Sequence, residues 1–174
     1  MTSDAERPLQ AALAEGQEAA FVELYDRFAD RLYAVAITVT GSEADAEDAV
    51  HDTFLAVWQS RRALSRVDNL ATYLFASLRR AAVRVVKRRQ RLRRAAHDSA
   101  RPASGFVVSP ETNDELDSAV RKLPDAQREV IALKIDGGLT FAEIAAVLGI
   151  SANTAASRYR LGLERIREAL KHDV

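Results

Sequence analysis

Apolar residues recur at three- and four-residue steps along most of the chain, which is the period of an α-helix buried along one face. The first such stripe consists of Phe21, Leu24, Phe28, Leu32, Val35 and Val39. The helix that carries it is predicted to end at Gly41, because glycine readily takes the left-handed conformation that stops a helix. No stretch shows the two-residue alternation of a strand, so the pattern predicts an all-α fold.

Two more helices are predicted before residue 95. Ser42 stands where an N-cap belongs and is followed three residues later by Asp45, as in a capping box. The helix that it opens is predicted to run to about Ser60. The next helix is predicted to begin near Asp68, and its apolar face carries Leu70, Leu74, Leu78, Ala81 and Val85.

The regular pattern stops over residues 95–112, AAHDSARPASGFVVSPET. Two prolines, one glycine and several small polar residues are typical of a flexible linker. The apolar GFVV segment within it either packs on a neighbouring surface or docks in a partner, and the sequence favours neither. The chain is therefore predicted to contain two small helical domains, at residues 18–94 and 113–174, preceded by an N-terminal extension of residues 1–17.

Four helices are predicted after the linker. Thr112 is a candidate cap of the first, and Pro124 suits the first turn of the second. TFAE, residues 140–143, is a capping box that opens the third helix, which is predicted to end at Gly149 before a cap at Ser151. Two helices joined by such a short turn are typical of a helix-turn-helix, which favours DNA binding over the alternative of a hairpin that only packs or binds protein.

The charges lie in blocks, although 25 acidic and 25 basic residues make the chain neutral. Residues 1–58 hold 12 acidic and 3 basic residues, whereas residues 59–101 hold 13 basic and 2 acidic ones. Blocks of opposite sign indicate two charged partners, or one partner with two surfaces. The alternative is that the blocks neutralise each other within the fold.

The acidic block contains the predicted helix DAEDAVHDTFLAVW, residues 45–58. At about 100° per residue, three carboxylates surround a leucine on the side opposite the apolar core. These residues are Asp45, Asp48, Asp52 and Leu55. Charge can steer a partner to this side and the leucine can hold it, so the side is a candidate docking surface. The alternative is a solvated face with one exposed leucine.

The basic block centres on RRAAVRVVKRRQRLRR, residues 79–94. Phosphates are the expected partner of such a run, because each neutralised phosphate releases counterions. Tyr73 and Phe75 precede the run, and rings beside a basic helix can stack on unpaired bases. Core packing is nevertheless the favoured interpretation of these two aromatic residues.

Several classes of function are excluded or disfavoured. The absence of cysteine excludes disulfide bonds and thiolate metal sites. No apolar run is long enough to span a bilayer, and MTSDAERPLQ does not have the pattern of a secretory signal. No two histidines have metal-ligand spacing. We therefore expect a cytoplasmic protein with no enzymatic activity, cofactor, metal or membrane partner.

DAEDAVHDTFLAVW and LPDAQREVIALKIDGGLTFAEIAAVLGISANTAASRYRLGLERIR, in this order, resemble two motifs of the sigma-70 family, in its extracytoplasmic-function (ECF) class. The resemblance covers roughly residues 18–94 and 113–170. It implies a factor that binds core RNA polymerase through the β′ clamp helices and the β flap, directs it to promoter DNA and helps to open that DNA. It leaves open whether an anti-sigma factor is a further partner.

The same resemblance implies the residues for each contact. The clamp helices would be bound by Asp45, Asp48, His51, Asp52 and Leu55. A loop at residues 60–70 would capture an unstacked base of the minus-ten element. The minus-ten residues would be Asn69, Tyr73, Arg79, Arg80 and Lys87. The minus-thirty-five duplex would be bound by Asn153, Thr154, Ser157, Arg158 and Arg160.

Two other functions are compatible with parts of the sequence. A sigma-like decoy that sequesters an anti-sigma protein would not need the arginine-rich run at residues 79–94. A stand-alone helix-turn-helix regulator would bind its DNA tightly without polymerase, which a gel-shift assay with the protein alone would detect.

Overall fold

The computed structural model describes residues 6–95 and 114–172, which form eight α-helices and one 3₁₀ helix without any strand. The all-α prediction is confirmed. The helices are α1 Arg7–Ala14, α2 Glu18–Thr40, α3 Glu43–Gln59, the 3₁₀ helix Arg61–Arg66, α4 Leu70–Ala95, α5 Asp114–Arg121, α6 Asp125–Ile135, α7 Phe141–Leu148 and α8 Ala152–His172. The predicted cap Thr112 and almost all of the predicted linker lie outside the described residues.

Helix boundaries near residue 41 follow from two adjacent residues. Gly41 has a φ of 68° and ends α2, as predicted. The Ser42 hydroxyl accepts a hydrogen bond from the backbone N–H of Asp45, which confirms Ser42 as the N-cap of α3. The Asp45 carboxylate pairs with Arg89 of α4 instead of closing a capping box.

The predicted caps of the helix-turn-helix are confirmed. Thr140 and Glu143 form a reciprocal capping box at the start of α7, and Gly149 ends that helix with a φ of 68°. The Ser151 hydroxyl accepts the backbone N–H of Thr154 at 3.0 Å and so opens α8. These bonds satisfy helix-end donors that have no partner within the helix.

Three local features differ from the predictions. Residues 7–14 form a helix, α1, within the segment predicted only as an extension. α4 begins at Leu70 rather than near Asp68, because the 3₁₀ helix precedes it and the Asn69 carboxamide accepts the backbone N–H of Thr72. Pro124 is the N-cap of α6 and not a residue of its first turn.

Helices α1 to α4 form the N-terminal half, and α5 to α8 form the C-terminal half. α6 packs against α2 and α7 against α4, so the two halves are in contact. Val130, Leu133 and Leu139 of the C-terminal half belong to the same buried cluster as Val35 and Phe75 of the N-terminal half. None of the described helices combines the length and hydrophobicity needed to cross a bilayer.

Candidate functional site

α3 presents an acidic surface, defined here as Glu47, Asp48, His51, Asp52 and Leu55. The opposite side of α3 is fixed in the core by Ala46, Ala49, Thr53, Phe54 and Val57. Asp48 and His51 are exposed, Asp52 is half-buried, and Leu55 is 46% exposed although it is a large apolar residue. Two of the three carboxylates predicted to surround Leu55, those of Asp48 and Asp52, therefore lie on its side of α3, together with His51.

The prediction that Asp45 shares this outward side is wrong. Asp45 is only 9% exposed and its carboxylate forms an ion pair with Arg89 of α4. α3 packs along both α2 and α4, so two of its sides are covered rather than one. Asp45 therefore joins α3 to the basic helix and is not displayed to a partner.

Asp48 also has a partner within the N-terminal half. Its carboxylate lies 2.6 Å from a guanidinium nitrogen of Arg88, and the two side chains are 55% and 60% exposed. The acidic and basic blocks thus neutralise each other in part, as the alternative interpretation of the sequence proposed. An exposed pair of this kind stabilises a fold by at most about 1 kcal/mol, so a basic partner can displace Arg88.

An apolar rim borders the acidic surface where α2 packs on α3. Val22 and Tyr25 of α2 and Trp58 of α3 are 54%, 53% and 37% exposed. Between the two helices lies a groove of about 320 Å³ that reaches from Tyr25 and Tyr33 to His51. Burial, with the carboxylates of Glu43 and Glu47, raises the pKa of Tyr33. This rim was not predicted from the sequence, although a helical projection of α2 places Val22 away from the core stripe; Tyr25 projects at the edge of that stripe, next to Leu32.

The aromatic residues near the predicted base-capturing loop have different environments. Phe75 is fully buried, which agrees with core packing, the favoured interpretation of its sequence position. Tyr73 is half-buried and its hydroxyl lies 2.8 Å from the hydroxyl of Ser60, a hydrogen bond across the ends of the loop. Tyr73 therefore lies beside the loop at residues 60–70.

The basic residues predicted to bind the minus-ten element are exposed along α4. Arg79 pairs with Glu129 at 2.8 Å, and Arg80 donates to the Ser77 hydroxyl at 2.9 Å. Lys87 is exposed about two turns further along α4. All three lie away from the buried face of α4 that carries Leu70, Leu74 and Leu78.

Two carboxylates of the C-terminal half lie against residues predicted to bind the minus-ten element. Asn69 donates to the Glu143 carboxylate at 2.7 Å, and Arg79 pairs with Glu129. Burial raises the pKa of Glu143, but hydrogen bonds from Thr140 and Asn69 outweigh it and hold this pKa below its ordinary value. These contacts join residues far apart in the sequence, so no local pattern could have identified them.

The five residues predicted to bind the minus-thirty-five duplex lie in the N-terminal half of α8. Asn153 and Arg160 are exposed, and Thr154, Ser157 and Arg158 are half-buried. On the inner side, a Cβ at Gly162 would lie 2.6 Å from Cδ1 of Ile131, so glycine allows α8 to approach α6 closely. The packing of the inner side thus leaves Asn153, Ser157 and Arg160 on the other side of the helix, with Thr154 and the half-buried Arg158 on the flank.

A metal centre has no support in the part of the chain that the structure describes. No three histidine, aspartate or glutamate side chains there come close enough together to hold an ion. The acidic surface of α3 is a convex helix face, and its carboxylates do not converge on a common point.

Comparisons with known proteins match both halves. The Sigma-70 region 2 family matches residues 24–92, and the Sigma-70, region 4 family matches residues 113–166. The ECF RNA polymerase sigma factor RpoE of Cereibacter sphaeroides is 29% identical to this chain over 157 residues, which cover 87% of this chain and 86% of that protein.

Two solved structures have a similar fold. CnrH in complex with the cytosolic domain of CnrY has a TM-score of 0.71 at 28% identity, with 98% of this chain and 100% of that chain covered. The sigma factor RpoE from Bartonella quintana, in complex with the anti-sigma factor NepR, has a TM-score of 0.64 at 27% identity, with 82% and 91% covered.

Proposed function

Because this chain belongs to the sigma-70 family, as a sigma factor of the ECF class, we propose that the acidic surface of α3 binds the β′ clamp helices of core RNA polymerase. The chain serves transcription initiation, with core RNA polymerase and promoter DNA as its partners. We further propose that it acts in the cytoplasm, where both partners are found, and that polymerase carries out all of the chemistry.

We propose residues 18–94 as the polymerase and minus-ten domain and residues 113–174 as the minus-thirty-five domain, which also contacts the β flap. The observation that carries the proposal is the separation of two unlike surfaces. α3 exposes carboxylates around Leu55, which suits a basic protein partner, and α8 exposes Asn153 and Arg160 beside small polar residues, which suits a DNA groove.

Specific transcription is the direct test of this function. Core polymerase with the purified protein is expected to select a common promoter sequence from a random duplex library and to produce run-off transcripts from it. Core polymerase alone should produce none. Tight specific duplex binding without polymerase would instead favour a stand-alone regulator, and failure to associate with core polymerase at low salt would contradict the proposal.

An anti-sigma factor is the third partner that we propose. Both solved relatives are bound to a second protein, the cytosolic domain of CnrY in one case and the anti-sigma factor NepR in the other. The rim of Val22, Tyr25 and Trp58 beside the acidic surface offers apolar area for such a partner.

Promoter binding requires the two halves to separate. The minus-ten and minus-thirty-five elements are roughly 25 base pairs apart by their names, which is roughly 85 Å of duplex at about 3.4 Å per base pair. Helices α6 and α7 pack directly on α2 and α4, so we propose that this arrangement opens when each half binds its element. The carboxylates of Glu129 and Glu143 would also compete with DNA for Arg79 and Asn69.

Reversing the charge of Glu129 should therefore favour the separated state. In Glu129→Arg the new guanidinium repels Arg79 and leaves every predicted DNA-binding residue in place. The variant loses an ion pair and gains a repulsion of similar size. Together these changes should raise the affinity of the protein for single-stranded minus-ten DNA about fivefold. Fluorescence anisotropy with the strand selected by the wild-type holoenzyme measures this affinity.

Glu115→Arg is the matched control, because Glu115 is an exposed acidic residue of α5 and the change in net charge is the same. With one fluorescent label in each half of the protein, the distance between the two labels should increase only in Glu129→Arg. An equal rise in DNA affinity in both variants would show a general effect of charge and would contradict the competition.

A further inference from the structure

α1 lies before the residues that match the Sigma-70 region 2 family, which begin at residue 24, yet it packs on the loop predicted to capture a base. Leu9 and Leu13 of α1 are buried in the same cluster as Leu64 of the 3₁₀ helix. α1 therefore covers one side of the 3₁₀ helix that forms the first part of this loop.

Gln10 makes the specific contact between α1 and the loop. Its side chain is buried, with 3% of the residue exposed, and its Nε2 donates to the carbonyl of Val67 at 3.0 Å. A buried carboxamide destabilises the fold unless it is hydrogen-bonded, so this bond is strongly preferred over an unpaired state. It fixes the backbone of Val67, two residues before Asn69, which is predicted to bind the minus-ten element.

The same contact forms one wall of a cavity. The cavity has a volume of about 290 Å³ and lies between α1 and the second part of the loop. Its lining combines two cationic side chains and one carboxylate, that of Asp68, with polar groups: Arg7, Gln10, Ala11, Ser65, Arg66, Val67 and Asp68. Guanidinium groups suit a phosphate, and the polar groups suit the edge of a base.

We propose that α1 contributes to the surface that binds the opened promoter strand. Gln10 is a positioning residue, which holds Val67 so that the loop keeps the shape that accepts an unpaired nucleotide. Arg7 of α1 places a positive charge near the phosphate of that nucleotide. The inference rests on the proposed function, since it requires that residues 60–70 bind the minus-ten strand.

Gln10→Met tests the positioning role, because methionine has a similar length and no hydrogen-bond donor. The probe is a labelled single strand with the minus-ten sequence that the wild-type holoenzyme selects, compared with copies that carry an abasic site at one position. The wild-type holoenzyme should discriminate against loss of the captured base. Gln10→Met should reduce that discrimination at least fivefold, with the affinity for core polymerase changed less than twofold.

Gln17→Met is the matched control, because Gln17 follows α1 in sequence and its side chain bonds to the exposed Glu15. A purely structural role of Gln10 would weaken binding to all strands equally and leave the discrimination unchanged, and this result would overturn the inference. Equal loss of discrimination in both variants would overturn it too.

Arg7→Gln provides a second variant at an exposed position, should Gln10→Met fail to fold as judged by circular dichroism. It should weaken strand binding about threefold or more and reduce the dependence of binding on salt, because one phosphate contact is lost. Unchanged affinity and salt dependence would overturn the role of α1. If the wild-type holoenzyme opens no promoter, the proposed function itself fails, which is a distinguishable result.

Discussion

Replacing Asp48 and Asp52 with asparagine and Leu55 with alanine will lower the affinity for core RNA polymerase about a hundredfold, or about 2.7 kcal/mol, because one central apolar residue such as Leu55 can contribute about 2 kcal/mol and the carboxylates around it contribute less. Leu55 is a large apolar side chain left 46% exposed, and only contact with a partner would bury it. The carboxylates add steering and specificity around it. Asp48 is expected to exchange Arg88 for basic groups of the clamp helices.

This triple variant should leave the fold intact, since none of its three residues belongs to the buried core. The control is Glu115→Gln, Asp117→Asn and Leu116→Ala in α5, which removes two carboxylates and an apolar side chain that is 41% exposed. Fluorescence anisotropy with core polymerase, repeated with the isolated β′ clamp helices, gives the affinity. Equal affinity of the triple variant and the wild type for the clamp helices would show that α3 is not the docking helix.

Features that depend on a single residue, or on residues three or four positions apart, could be predicted from the sequence. Gly41 and Gly149 end their helices because glycine takes a positive φ without a steric penalty, whatever the rest of the fold does. The capping box of Thr140 and Glu143 is equally local. The apolar stripes of α2 and α4 follow from the sequence for the same reason, since a helix buries one face of fixed period.

Burial on a helix that packs against two other helices could not be predicted in the same way. The projection that placed Asp45 outward assumes that a helix packs through a single face. α3 contacts both α2 and α4, and the second contact buries Asp45 against Arg89. The sequence of the basic helix α4 does not indicate which acidic residues it pairs with, because the pairing depends on the angle at which α3 and α4 cross.

The contacts between the halves were missed for a related reason. Asn69 is half-buried and Arg79 is exposed, and the sequence context of both polar residues suits DNA binding. Their partners Glu143 and Glu129 lie on helices that the sequence assigns to another domain. The assignment of individual residues to polymerase and DNA stays a prediction, and the outer side of α8 is where it can be tested most sharply.

Replacing Arg158 and Arg160 together with alanine will weaken binding of the holoenzyme to its minus-thirty-five duplex by about 2–6 kcal/mol, at about 1–3 kcal/mol for each lost base contact. Both residues lie within the first three turns of α8. Arg160 is exposed on the side away from the buried Ala155 and Ile166, and Arg158 is half-buried on the flank. Arginine at such positions can donate two hydrogen bonds to a guanine edge, which alanine cannot replace.

The matched control for this variant is Arg167→Ala with Lys171→Ala, which removes two exposed positive charges from the C-terminal end of the same helix. Competition binding against the selected duplex and against random duplex separates base contacts from phosphate contacts. Base contacts predict a large loss on the selected duplex and little loss on random DNA. An equal loss on both, with a salt slope reduced by about one per arginine, would show that these side chains contact only the backbone, because phosphate contacts do not depend on sequence.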